Sequence, residues 1–260
     1  DPLCLIPMAT SVELFHIATL VHDDIVDKAQ LRRGTPTVSH LHGQDVAVLL
    51  GDYVFARSAE KVCSTGNIHV VSLFAQTLSI VSSGELRQGF TSPESKRTKQ
   101  HYFEWIGSKT ASLFRLACES GAVLSHATEP SIKALRDYGW NIGLAFQIVD
   151  DILDFVGQEA EMGKPVGSDL LHGALTLPVI LLLEHYPQDV KLRDALDGKE
   201  GDAGVKQVIE MVANSRVIDE CYSIACGFNA QALQALHPFS TAPAGFSLRD
   251  LTEYILRRKK

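Results

Sequence analysis

An all-α fold is what this sequence predicts, on three observations. Apolar residues recur at helical spacing along most of its 260 residues. Strict alternation of apolar and polar residues, the strand signal, is nearly absent, and no Asn-Gly or Asp-Gly turn joins two apolar runs. Turn residues gather at only a few places: 33–36, 91–100, 197–204 and 238–245. None of these breaks is long enough to divide independent cores, so 1–260 reads as one domain, a single bundle of helices.

In chain order, Val12, Phe15, Ile17, Leu20 and Val21 lie on or beside one stripe of a first helix that runs into Asp23. The same periodicity predicts helices over 44–64, 67–90, 101–127, 130–156, 172–186, 204–214, 216–236 and 247–258.

Composition narrows the function. Hydrophobic residues make up 45% and charged residues 21%, a globular balance. With 24 Lys+Arg against 31 Asp+Glu the net charge is −7, which argues against nucleic acid as the partner. The apolar run 177–183, interrupted by Pro178, is too short to span a bilayer, so no transmembrane segment is expected. The opening residues carry no basic n-region and no small-residue cleavage pattern, and the chain does not begin with Met. Five scattered cysteines without a C-x-x-C pair read as reduced thiols of a cytoplasmic protein.

One pattern recurs. Asp23-Asp24-Ile25-Val26-Asp27 and Asp150-Asp151-Ile152-Leu153-Asp154 are both Asp-Asp-x-x-Asp. On a helix, positions i and i+4 share a face, so each cluster aims two carboxylates one way. Like charges so placed repel, and their apolar surroundings raise the cost of leaving them unpaired, so a cation is expected. All-oxygen sets suit Mg²⁺, which takes one or two carboxylates and leaves its other positions to water and phosphate oxygens. The blander alternative is a solvated acidic helix face, which two copies inside apolar helices make a poor fit. A di-iron bundle needs two Glu-x-x-His pairs; Glu13-Leu-Phe-His16 fits once, and His16 reads instead as a hydrogen-bonded histidine.

Together, LVHDDIVDKAQLRRGTPTVS, GLAFQIVDDILDF and GKPVGSDLLHGALTLP, with GDYVFA at 51–56 and GSKTASLF at 107–114, resemble the trans-isoprenyl diphosphate synthase (polyprenyl synthase) family over nearly the whole chain. The resemblance implies an all-α bundle of long helices around a deep central cavity, a homodimer, and condensation of isopentenyl diphosphate with an allylic diphosphate such as farnesyl or geranylgeranyl diphosphate. It assigns up to three Mg²⁺ ions to Asp23, Asp24, Asp27, Asp150, Asp151 and Asp154. It gives diphosphate contacts to Arg32, Arg33, Lys109, Lys164 and the basic C-terminus at Arg258, and oxygen dipoles near the allylic cation to Thr110 and Gln147. Gln147 is suggestive on its own, as a polar residue in an apolar run one turn before Asp151.

In the family, the two positions four and five before the first cluster form the cavity floor. Here they are Thr19 and Ala18, both small, with Phe15 a turn deeper, which implies a medium- or long-chain product. Such a product is greasy, so release at a membrane surface fits. Two departures from the family stand out. Ala174 replaces the lysine usual before Thr-Leu-Pro, and the family's N-terminal Gly-Lys-Arg segment has no counterpart before Asp1. These keep a second reading open, a non-catalytic subunit that regulates another synthase. A class I terpene cyclase is disfavoured, because its second metal site reads N/D-x-x-S/T-x-x-x-E.

Overall fold

The computed structural model describes residues 2–32, 34–157, 166–199 and 201–258. Helices dominate as the sequence predicts: α1 (Pro2–Val26), α2 (Val38–His42), α3 (Gln44–Cys63), α4 (Ile68–Phe90), α5 (Pro93–Lys96), α6 (Lys99–Ile106) and α7 (Ser112–Leu124). There follow α8 (Glu129–Val156), α9 (Ser168–Leu171), α10 (Leu177–His185), α11 (Val190–Leu196), α12 (Gly201–Ala213), α13 (Val217–Ala235) and α14 (Pro243–Arg257). The only strands among the described residues are the two-residue β1 (Leu31–Arg32) and β2 (Thr35–Pro36), paired antiparallel.

Two expected helices are interrupted. The span 101–127 contains a π-helical turn, Gly107–Ala111, between α6 and α7. The span 172–186 begins late, because Gly173 adopts φ +82° and the helix starts only at Leu177, with Pro178 in its first turn. Short helices α2, α5 and α11 carry too few apolar repeats to show periodicity.

Chain contacts group into two compact units, residues 1–81 with 112–139 and residues 82–111 with 140–260. In the first, α1 packs most extensively on α3, and three contacts along its length set its rotation. Near the start, Ser11 Oγ donates to the Ser58 carbonyl at 2.9 Å and Ser58 Oγ donates to the Ser11 carbonyl at 2.7 Å, both residues fully buried. Midway, the Phe15 ring meets Phe55 and Phe74 edge-on, each at 5.4 Å between centroids, the geometry aromatic quadrupoles prefer. Toward the end, His22 lies against Gly51, where an added Cβ would sit 2.1 Å from His22 Nε2. Helix α1 is the one described helix long and apolar enough to cross a membrane, with mean hydropathy 1.6. The shorter run 177–183, used to judge spans from sequence, misses it because its apolar residues are interspersed with polar ones.

In the same unit, α7 and the start of α8 are pinned by the buried Glu119. Its oxygens accept from Arg115 Nε at 3.2 Å and Arg136 Nη2 at 2.7 Å. Gly139 lets the backbones close up: a Cβ there would lie 2.6 Å from the Phe114 carbonyl oxygen.

The second unit is built on α10, buried on all sides from Leu177 to Leu182, as expected of a helix without a polar face. It packs on α12 and α13. Ion pairs tie the turn before α6 to the end of α11 (Arg97–Asp197, 2.6 Å) and the start of α6 to α10 (Lys99–Glu184, 2.7 Å). The Tyr222 hydroxyl donates to the Leu256 carbonyl and joins α13 to the end of α14.

The glycines give a stability test. Gly139→Ala is expected to cost about 1–3 kcal/mol, since rigid backbone must move. Gly121→Ala, mid-helix with nothing within 4 Å of its new Cβ, is expected to stabilise by about 0.5–1 kcal/mol. Thermal melts followed by circular dichroism check both signs.

Candidate functional site

The first aspartate cluster ends α1. Successive helical residues point about 100° apart, so adjacent aspartates cannot share a face. Asp24 turns inward, 7% exposed, while Asp23 is half-buried and Asp27 exposed. Asp27 lies just past the last helical residue, yet its N–H still donates to the Asp23 carbonyl at 2.8 Å. This preserves the i, i+4 relation that the sequence predicts.

What answers Asp24 comes from the chain just downstream. Lys28 at φ +52° turns the backbone, and Gly34 at φ +76° supplies the left-handed conformation of the β1–β2 turn. Thr37 closes the loop: its Oγ1 donates to the Ala29 carbonyl at 2.7 Å and accepts from the His40 N–H at the start of α2. So folded, Arg32 Nε donates to Asp24 Oδ1 at 2.8 Å. Arg33 lies outside the described residues.

The second cluster occupies the last turns of α8 and shows the same division between its first two aspartates, whereas its third, Asp154, is buried where Asp27 is exposed. Asp150 keeps a side chain 44% exposed, held by Arg258 Nη2 at 2.8 Å, whose guanidinium also stacks 4.4 Å above the Phe146 ring. Asp151 is 1% exposed. Its Oδ2 accepts from the Tyr102 hydroxyl at 2.6 Å and its Oδ1 from Gln147 Nε2 at 2.9 Å. Burial pushes the Asp151 carboxyl well above the usual carboxylate range, against the pull of those two donors, and burial beside Asp151 pushes the Tyr102 phenol up. Asp154 is buried too, and its Oδ2 accepts from the Asp169 N–H at 3.1 Å. Lys164 lies outside the described residues.

Lys109 and Thr110 sit in the π-helical turn, a feature that often marks functional sites. The turn fits because Gly107 lies against Trp140, where a Cβ would come within 2.9 Å of the indole. Lys109 Nζ lies 3.3 Å from Glu85 Oε1 and 5.9 Å from the Trp105 ring centroid. Thr110 Oγ1 donates to Gln147 Oε1 at 2.6 Å. A chain of bonds therefore runs Tyr102–Asp151–Gln147–Thr110. Sequence reading found Gln147 and Thr110 but missed Tyr102 and Glu85. The one signal for Tyr102 is its position two helical turns before Lys109.

Of the predicted cavity-floor residues, Ala18 and Phe15 are fully buried; Thr19 is half-buried, its hydroxyl donating to the His16 carbonyl at 2.7 Å. His16 itself is exposed.

Among the described residues, no three His, Cys, Asp or Glu side chains converge to hold a metal by themselves. Mg²⁺ asks for less, one or two carboxylates with water and phosphate oxygens. The all-oxygen side chains of Asp23, Asp27 and Asp150, each open to solvent in part, fit that requirement.

The family model for polyprenyl synthetase matches residues 3–212. Heptaprenyl diphosphate synthase component 2 of Geobacillus stearothermophilus is 39% identical over 252 residues, 96% of this chain and 78% of that protein. A decaprenyl diphosphate synthase from Rhodobacter capsulatus superposes with a TM-score of 0.89 at 35% identity, over 98% of this chain and 79% of that one. A Caulobacter crescentus polyprenyl synthase, complexed with calcium and isoprenyl diphosphate, gives 0.91 at 33% identity, over 98% and 78%.

The Asp24–Arg32 pair predicts its own test. Asp24→Ala removes about 1 kcal/mol of partly screened pairing. It is expected to speed trypsin cleavage after Arg32 about fivefold, read by mass spectrometry of timed digests.

Proposed function

The chain belongs to the polyprenyl synthetase family, and from that premise we propose that it is a Mg²⁺-dependent prenyltransferase. It condenses isopentenyl diphosphate with an allylic diphosphate, farnesyl or geranylgeranyl, to a longer all-trans polyprenyl diphosphate. The observation that carries this reading is the shared construction of the two Asp-Asp-x-x-Asp clusters. In each, the second aspartate is satisfied within the protein and the first stays partly open to solvent.

In this reading Asp23 and Asp27 in one unit, and Asp150 in the other, are Mg²⁺ ligands, and Asp24, Asp151 and Asp154 support them from within. Bound Mg²⁺ supplies charge neutralisation for a departing diphosphate. Lys109 binds the allylic diphosphate, with Arg32, Arg33, Lys164 and Arg258 as further cations toward the two diphosphates. As the allylic carbon–oxygen bond breaks, the oxygens of Thr110 and Gln147 turn their dipoles toward the cation. The double bond of isopentenyl diphosphate then attacks that carbon, and a proton passes to the released pyrophosphate to restore a double bond. The small residues Ala18 and Thr19 let the growing tail pass, which supports a medium- or long-chain product.

Helix α3 exposes Val46, Leu49, Leu50 and Tyr53 at i, i+3, i+4 spacing, which supports a homodimer formed through that face. All five cysteines are unpaired, which fits a reducing setting. A second reading, one subunit of a two-component synthase, draws on the relative named component 2.

Purified chain with Mg²⁺, labelled isopentenyl diphosphate and farnesyl diphosphate tests the proposal by chromatography of the products. Elongated diphosphates are expected. Turnover only after a second component is added favours the subunit reading, and cyclic hydrocarbons favour a cyclase. Asp23→Ala and Asp150→Ala are each expected to lower kcat by about 10²–10³-fold. Ala18→Phe is expected to shorten the product, and an unchanged length distribution would remove Ala18 from the cavity wall.

A further inference from the structure

Tyr102 is among the largest fully buried side chains of the described residues. A buried hydroxyl is costly unless hydrogen-bonded, and its partner here is a carboxylate that is itself buried and costly. A Phe–Leu pair would fill similar volume without either cost. What the polar pair does that an apolar one cannot is act on Gln147. Tyr102 Oη and Gln147 Nε2 both donate to Asp151, so Asp151 Oδ1 meets the nitrogen of the Gln147 amide. That orientation turns Gln147 Oε1 to Thr110, whose hydroxyl occupies one of its two lone pairs and leaves the other.

We propose that Tyr102 is a positioning residue: its hydroxyl, acting through Asp151, fixes the Gln147 amide so that the carbonyl oxygen faces the reacting allylic carbon. This rests on the prenyl-transfer reading and deepens it. A Gln side chain rotates freely at its terminal bond, and a flipped amide would turn a positive N–H toward a carbon that becomes cationic. Tyr102 removes that alternative before substrate arrives. Its hydroxyl bonds Asp151 and none of the cations assigned to the diphosphates, so its effect is expected on the chemical step more than on binding.

Tyr102→Phe keeps the ring and deletes the hydroxyl. In the full chain with Mg²⁺, labelled isopentenyl diphosphate and farnesyl diphosphate, kcat is expected to fall about 10–100-fold, the usual cost of losing a supporting hydrogen bond. KM for both diphosphates and the half-saturating Mg²⁺ concentration are expected to stay within about twofold. In a Gln147→Met background, adding Tyr102→Phe is expected to cost nothing more. In protein labelled with ¹⁵N-glutamine, the side-chain amide signal assigned to Gln147 by its loss in Gln147→Met is expected to move in Tyr102→Phe. Should Tyr102→Phe fail to fold, Asp151→Asn breaks the same chain and is expected to give the same loss in kcat.

Wild-type kcat in a folded Tyr102→Phe protein overturns the proposal. So do losses that multiply with Gln147→Met, or a tenfold rise in the Mg²⁺ requirement, which would assign the tyrosine to metal binding. If the unaltered chain elongates nothing, alone or with a second component, the prenyl-transfer reading falls and the catalytic role of Tyr102 with it. The amide signal still decides separately whether the hydroxyl sets Gln147.

Discussion

A carboxylate taken out of water has to be answered by donors, and around the two aspartate clusters most of the local structure is that answer. Helical geometry turns one residue of any adjacent pair away from the other, so a cluster that presents Asp23 or Asp150 to solvent sends Asp24 or Asp151 into the protein. The buried member then dictates its surroundings. Asp24 is met by Arg32, and the turn at Lys28, the β1–β2 hairpin and the Thr37 cap deliver that arginine. Asp151 is met by Tyr102 and Gln147, which link it to α6 and, through Thr110, to the π-helical turn. The same motif is answered by a charge in one place and by neutral donors in the other.

These arrangements need stiff supports. Along α1 the reciprocal Ser11–Ser58 bonds, the edge-on rings around Phe15 and the approach of His22 to Gly51 together leave the helix one rotation. That rotation decides which aspartate is buried. Gly51 in GDYVFA thus has a physical reason besides its resemblance to the family: a Cβ there would lie 2.1 Å from His22 Nε2 and force that ring to move. In the other unit, burial of α10 on all sides gives a rigid core on which α12 and α13 rest.

Much of this was legible from the residues alone. Long helices announce themselves through repeated apolar spacing, and the ends of α3, α4, α8, α12 and α13 fall within a few residues of those predicted. The two aspartate clusters, Gln147 and the Lys109-Thr110 pair also stood out, because charge and polarity inside apolar runs need a reason. The π-helical turn did not, since one additional residue in a turn leaves the apolar pattern nearly intact. Short helices such as α5 and α11 escaped because one or two turns hold no period.

The sequence by itself determined the helical class, the two carboxylate clusters and the family, because these depend on spacing within the chain, and spacing is what a sequence records. Tertiary structure alone decided that the carboxylates of each cluster differ in burial. It also chose their partners: Arg258, 108 residues beyond Asp150, and Tyr102, 49 residues before Asp151. Such pairs carry no local signature. They follow from where packing brings distant segments.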